Sequence, residues 1–168
     1  MVNIGIFDGT NFNYIINYLR EVFKINIVND FKLYNAFSTK NIANHYDIVL
    51  FISEVTDQNY NKAKHVISKA KVLIVNGDDQ RMLNLINELK LENVYILTYG
   101  FNSKSAITVS SVDELENTVM CMLQRDIVDI YNNIIGPKEI IVSKGNSTFN
   151  NHKLLGIVTL MVILGYIK

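Results

Sequence analysis

Lys71-Val72-Leu73-Ile74-Val75-Asn76-Gly77-Asp78-Asp79 decides the fold class, because an apolar run rich in β-branched residues ends in a polar, Gly-containing turn. It leads straight into Gln80–Lys90, where Met82, Leu83, Leu85, Ile86 and Leu89 recur at helical spacing. Upstream, Asp47–Ile52 is apolar after its first residue, as a strand covered on both faces should be. A helix over Asp57–Lys69 follows, with Tyr60, Ala63, Lys64 and Ile67 on adjacent rows. Nearer the start, Val2–Phe7 reads as a buried strand that turns at Asp8-Gly9-Thr10. Phe12, Ile15, Ile16, Leu19, Val22 and Phe23 then mark a helix over Asn11–Phe23, and Ile25–Val28 reads as a second strand. Downstream, Val94–Leu97 is one more strand.

Strands that alternate with helices of this length predict an α/β fold: a mainly parallel sheet with right-handed crossovers and helices on both faces. Ligands in such sheets sit at the carboxyl ends of the strands. The turns at 8–11, 53–56 and 76–79 all fall there. After Gly100 the pattern changes. Ser105–Ser110 reads as a short strand, and Ser111-Val112-Asp113-Glu114 has the capping-box spacing of a helix start. Thr118–Tyr131 fits a helix or two antiparallel strands, and periodicity does not separate them. Lys138–Val142 reads as a strand after the turn at Gly136-Pro137, which predicts a small antiparallel extension. A polar stretch over Ser143–Asn151 leads to a terminal apolar helix, and no linker interrupts a single domain over residues 1–168.

Composition narrows the function classes. Sixteen basic and sixteen acidic residues balance to zero net charge without like-charge runs, so nucleic acid is not an expected partner. The apolar segment Leu154–Ile167 is shorter than the roughly 20 residues a spanning helix needs, so no membrane insertion is expected. The N-terminus opens into a strand without a basic leader, so the expected location is cytoplasmic. Cys121, the single cysteine, sits among Val119, Met120, Met122 and Leu123 and is expected to be buried and inert. His45, His65 and His152 have no metal-ligand spacing and read as surface or packing residues. Ser53 has no G-x-S-x-G frame, no triad is visible, and no metal site is expected.

Several pieces, in order, resemble the central ATP-binding domain of the Mur ligase family. Gly5-Ile6-Phe7-Asp8-Gly9-Thr10-Asn11-Phe12-Asn13-Tyr14 stands where that family has a strand followed by T-G-T-N-G-K-T. Asp47–Phe51 with Asp57-Gln58-Asn59-Tyr60-Asn61-Lys62-Ala63-Lys64 is similar to its DIVVFTN…DH…ENYAKAK stretch. Val75-Asn76-Gly77-Asp78-Asp79 resembles INADD, and Ile96–Asn102 resembles VITYGF. Asn150–Leu155 through Gly165-Tyr166 is similar to the family's fNvyNalAAiavalelGi helix. The resemblance implies a P-loop NTPase-like α/β domain, without the ligase's N- and C-terminal domains and shortened between the first helix and Asp47.

The departures from the family pattern bear on function. Phe12, Asn13 and Tyr14 occupy the family's G-K-T positions, so the Lys for the β/γ-phosphates and the Mg²⁺-binding hydroxyl are replaced. Gln58 stands where the family has a metal-binding His. Lys64 matches the lysine that the family carbamylates, but without metal partners it reads as a solvated surface lysine. Electrostatic terms of this kind contribute about 3–4 kcal/mol per donor to catalysis, by analogy with oxyanion holes. The resemblance therefore implies no catalytic residues. Its matching positions Gly9, Thr10, Asn11, Asn13, Asn76 and Asp79 are the candidate nucleotide-binding residues, and ATP is at most a weak ligand. A plain βα turn with Thr10 or Asn11 as helix cap, and a Gly-containing turn before the helix at Gln80, explain the same residues. The expected function is a non-catalytic, regulatory or protein-interacting domain. The alternatives are a ligase component completed by another subunit and a structural module that dimerises through its apolar C-terminal helix.

Overall fold

The computed structural model describes residues 1–24, 31–38 and 43–167, and the strand expected at Ile25–Val28 lies outside them. The first half of the chain runs β1 (Val2–Phe7), α1 (Phe12–Phe23), β2 (Phe31–Asn35), β3 (Tyr46–Phe51), α2 (Tyr60–Ile67), β4 (Ala70–Asn76), α3 (Gln80–Leu89) and β5 (Tyr95–Tyr99). The second half adds β6 (Ile107–Asp113), β7 (Thr118–Leu123), β8 (Ile127–Val128), β9 (Ile134–Ile135), β10 (Lys138–Ser143) and α4 (Asn151–Ile163). One eight-stranded sheet has the order β10-β7-β6-β5-β4-β3-β1-β2, and β8 and β9 form a separate antiparallel pair. Neighbours from β2 through β6 pair parallel, whereas β7 pairs antiparallel with both β6 and β10. The chain is therefore α/β with a mainly parallel sheet and a small antiparallel extension.

Side-chain alternation along the strands sorts the core into two layers. Ile4, Ile6, Ile48, Leu50, Ile74, Leu97 and Tyr99 face the layer that holds Ile15, Tyr18 and Leu19 of α1 and the whole apolar body of α4. Phe7, Val49, Phe51, Leu73 and Val75 face the other layer, with Ala63, Val66 and Ile67 of α2 and Met82 and Leu85 of α3. Helices cover both faces, as the strand–helix alternation requires.

Helix α4 is buried at every position from Leu154 to Ile163. It lies across β3, β4, β5 and β6. A helix apolar all round needs covering on all sides, and the β8–β9 segment closes over its far end, where the Ile130 N–H donates to the Ile163 carbonyl at 3.0 Å. Its apolar surface is thus spent inside the chain, which corrects the idea of dimerisation through this helix. No helix among the described residues is long and apolar enough to cross a membrane.

Two further expectations change, and one open alternative is decided. The capping-box reading of Ser111–Glu114 fails, because β6 runs through it and Leu115 is 98% exposed. The same side-chain geometry is used in a turn: Asp113 Oδ1 accepts from the Leu115 and Glu116 N–H groups at 2.9 and 3.0 Å, and Asn117 takes the left-handed φ of 53°. Thr118–Tyr131 resolves into strands, since β7 alternates in burial between the neighbouring strands β6 and β10. Asn11 occupies the N-cap position of α1 but makes no capping bond; its amide donates to Thr10 Oγ1 at 2.8 Å. Cys121 is fully buried, and burial pushes its thiol up to about 12, which makes the reactive thiolate scarce.

Gly156 sets how closely α4 approaches the sheet. A Cβ there would meet the Tyr99 ring at 3.0 Å and Ile52 Cδ1 at 3.1 Å, and the Tyr99 hydroxyl is held by a 2.7 Å bond to the Phe51 carbonyl. Gly156→Val is expected to destabilise the fold by about 1–3 kcal/mol through overpacking, read as a lower denaturant midpoint at an unchanged slope.

Candidate functional site

The crossover from β1 carries α1 on one face of the sheet, and the crossover from β3 carries α2 on the other. The direction of winding therefore reverses between β1 and β3, and such a switch point leaves a crevice at the strands' carboxyl ends. The chain fills this crevice with polar side chains. The N–H groups of Ile52 and Ser53 both donate to the Phe7 carbonyl at 3.1 Å, tying the end of β3 to the end of β1.

Asp8 follows directly and is 1% exposed. Its Oδ1 accepts from Ser53 Oγ at 3.0 Å and from the Thr10 N–H at 3.3 Å. Ser53 Oγ in turn accepts from the Gly9 N–H at 3.1 Å. Asp8 Oδ2 is equally buried and receives no hydrogen bond. The loop after β1 is thus organised around a carboxyl group, with two of its own N–H groups turned inward.

A second carboxyl group organises the far wall. Asp78 Oδ2 accepts from the Phe101 N–H at 2.7 Å, and Oδ1 from Asn102 Nδ2 at 2.7 Å and the Asn102 N–H at 3.3 Å. His152 Nε2, in the first turn of α4, lies 3.0 Å from Asp78 Oδ2. The His152 ring also packs on Phe101 with centroids 4.0 Å apart. Burial opposes ionisation of Asp78, but the bonds from Phe101, Asn102 and His152 together outweigh it and hold the carboxyl below its ordinary range. Gly100 makes the approach possible: its φ is +155°, and a Cβ there would stand 2.6 Å from Asp78 Oδ2.

Between these walls lies a cleft of about 530 Å³, whose lining includes Asp8, Ser53, Asn76, Asp78, His152 and Lys153. Of the residues singled out from the sequence, Thr10 and Asn76 line it. Gly9 supplies its N–H to Ser53, and Asn11 bonds Thr10. Asn13 is exposed on α1. Asp79 turns away: its Oδ1 caps α3 through the Arg81 and Met82 N–H groups, and its Oδ2 holds the Val55 N–H at 3.1 Å. Lys64 makes an exposed 3.5 Å pair with Glu88. Among the described residues, no group of three or more His, Cys, Asp or Glu side chains could hold a metal ion.

Sequence reasoning missed Asp8, Ser53, Asp78 and Lys153 as site residues, and it read His152 as surface or packing. Asp8 carried a signal, since a carboxyl directly after a buried strand needs donors. His152 carried none, because its partner Asp78 is distant in sequence.

No protein-family model matches the chain, and no curated protein shows significant similarity to it.

The Asp78 hub makes acid sensitivity predictable. Because its folded-state pKa is depressed, its contribution is complete above the ordinary value of 3.8 and is lost as pH falls through the lower folded-state value. Asp78→Asn is expected to cost about 1–3 kcal/mol near neutrality and to flatten the acid limb of stability against pH, measured by urea unfolding across the acid range.

Proposed function

We propose that the chain is a non-catalytic relative of the Mur ligase central domain that works through a protein partner, with ATP bound weakly or not at all. The observation that carries this reading is the inward turn of the loop after β1. A phosphate loop holds its anion with free backbone N–H groups at a helix N-terminus. Here the Gly9 and Thr10 N–H groups are taken by Ser53 and Asp8. A buried carboxyl group also stands at the loop's base, where it would face a polyphosphate. Phe12, Asn13 and Tyr14 add no cation and no small hydroxyl at the start of α1. Binding ATP would require breaking those bonds and placing phosphate against acidic groups, without the Lys and metal that phosphoryl transfer depends on.

The same balance disfavours the completed-ligase alternative. A second subunit could supply a lysine, but it would still meet a loop whose N–H groups are already satisfied.

Calorimetric titration with ATP and Mg²⁺, alongside a phosphate-release assay, tests the proposal. The expected result is no saturable heat at micromolar ATP and no release above background. Micromolar binding accompanied by hydrolysis would sink it.

A further inference from the structure

Among the described residues, Asp8 Oδ2 is a buried acceptor that no hydrogen bond satisfies. The side chain is 1% exposed, its other oxygen holds two donors, and the group lines the cleft. A buried acceptor without a donor is costly, and each such group in a folded protein calls for a partner. The other acidic groups define what kind of partner suits it. Asp78 is saturated by Phe101, Asn102 and His152 and has little left to offer a ligand. Glu54 lies on the same cleft and is exposed, adding negative character beside Asp8.

A cation lines the same cleft. Lys153 is half-buried, lines the cleft and takes part in no ion pair among the described residues. It sits in the first turn of α4, where the helix dipole adds positive potential. A cleft of about 530 Å³ is within the size range of small-molecule sites.

We propose that this cleft binds an amino-acid-sized zwitterion, its ammonium on Asp8 Oδ2 and its acidic group towards Lys153. An ammonium satisfies the orphaned oxygen with a charge-assisted bond, which is stronger than a neutral one. The acidic end gives Lys153 the counter-charge it lacks. The inference builds on the reading that this loop has given up phosphate, and it names what the loop would take instead.

The test is a two-dimensional NMR titration of the full chain with glycine, β-alanine and 4-aminobutyrate, using ethanolamine and acetate as single-charge comparators. At least one zwitterion is expected to shift the Gly9, Ser53 and Lys153 amides saturably, with both comparators about tenfold weaker or more, the loss expected for one charge-assisted contact. Asp8→Asn and Lys153→Met should each weaken binding by about tenfold or more on the same grounds. Lys71→Met, which removes a pair with Asp47 at the opposite end of the strands, should leave it unchanged. Flat titrations with all three zwitterions, comparators that bind equally well, or undiminished binding by the variants would overturn the proposal. Should Asp8→Asn fail to fold, Lys153→Met decides alone, because that side chain lies outside the core. ATP hydrolysis would defeat the non-catalytic reading and leave these zwitterion titrations to stand or fall separately.

Discussion

Helix α4 is apolar on every side, and enclosing it is the constraint on which the rest of the fold depends. Ten consecutive buried residues, Leu154 to Ile163, include six Leu, Ile, Met or Val side chains besides the first two leucines and leave no polar face for solvent. Full burial of side chains of this kind is worth about 1.5–3 kcal/mol each, so no arrangement that exposes α4 competes. The sheet supplies one wall through β3, β4, β5 and β6. Helix α1 and the β8–β9 segment contribute to the same apolar layer. Thr159, the one polar side chain in this run, is satisfied locally by donating to the Leu155 carbonyl at 2.7 Å.

That enclosure also sets the position of the cleft. With its body fixed under the sheet, α4 begins at the carboxyl ends of the central strands. Asn150 caps it there by accepting from the Lys153 N–H at 2.9 Å, and its first turn brings His152 and Lys153 to the cleft. The reversal of winding between β1 and β3 opens the crevice from the other side. Core packing and site geometry are therefore one problem: Gly156, which lets α4 press against Tyr99, lies in the same helix as the residues facing Asp8 and Asp78.

The site differs from a phosphate loop in what its backbone does. In a phosphate loop the N–H groups wait for a ligand. In this chain the groups of Gly9 and Thr10 are already bonded, and it is a carboxyl oxygen of Asp8 that is left without a partner. Where a phosphate loop presents a nest of donors, this crevice presents an unfilled acceptor. The far wall is settled instead, because Asp78 collects its donors from one loop and a helix.

Sequence alone determined the parallel half of the sheet. Val2–Phe7, Asp47–Ile52, Lys71–Val75 and Gln80–Lys90 are long or apolar enough for local periodicity to fix their type, and the carboxyl-end turns followed from that. Thr10 and Asn76, singled out from the sequence, line the cleft. Local pattern failed where distant partners decide. Ser111–Glu114 satisfies a helix cap and a hairpin turn equally well, and only the pairing of β6 with β7 chooses between them. Asp79 looked like a ligand residue but became a helix cap, because α3 and Val55 both present N–H groups to it. The link between His152 and Asp78 spans 74 residues, and the missing donor at Asp8 exists only once β1, β3 and α4 have met. Which elements form is written in short-range spacing; which polar groups remain unsatisfied is decided by tertiary packing, since only that fixes which donors each acceptor can reach.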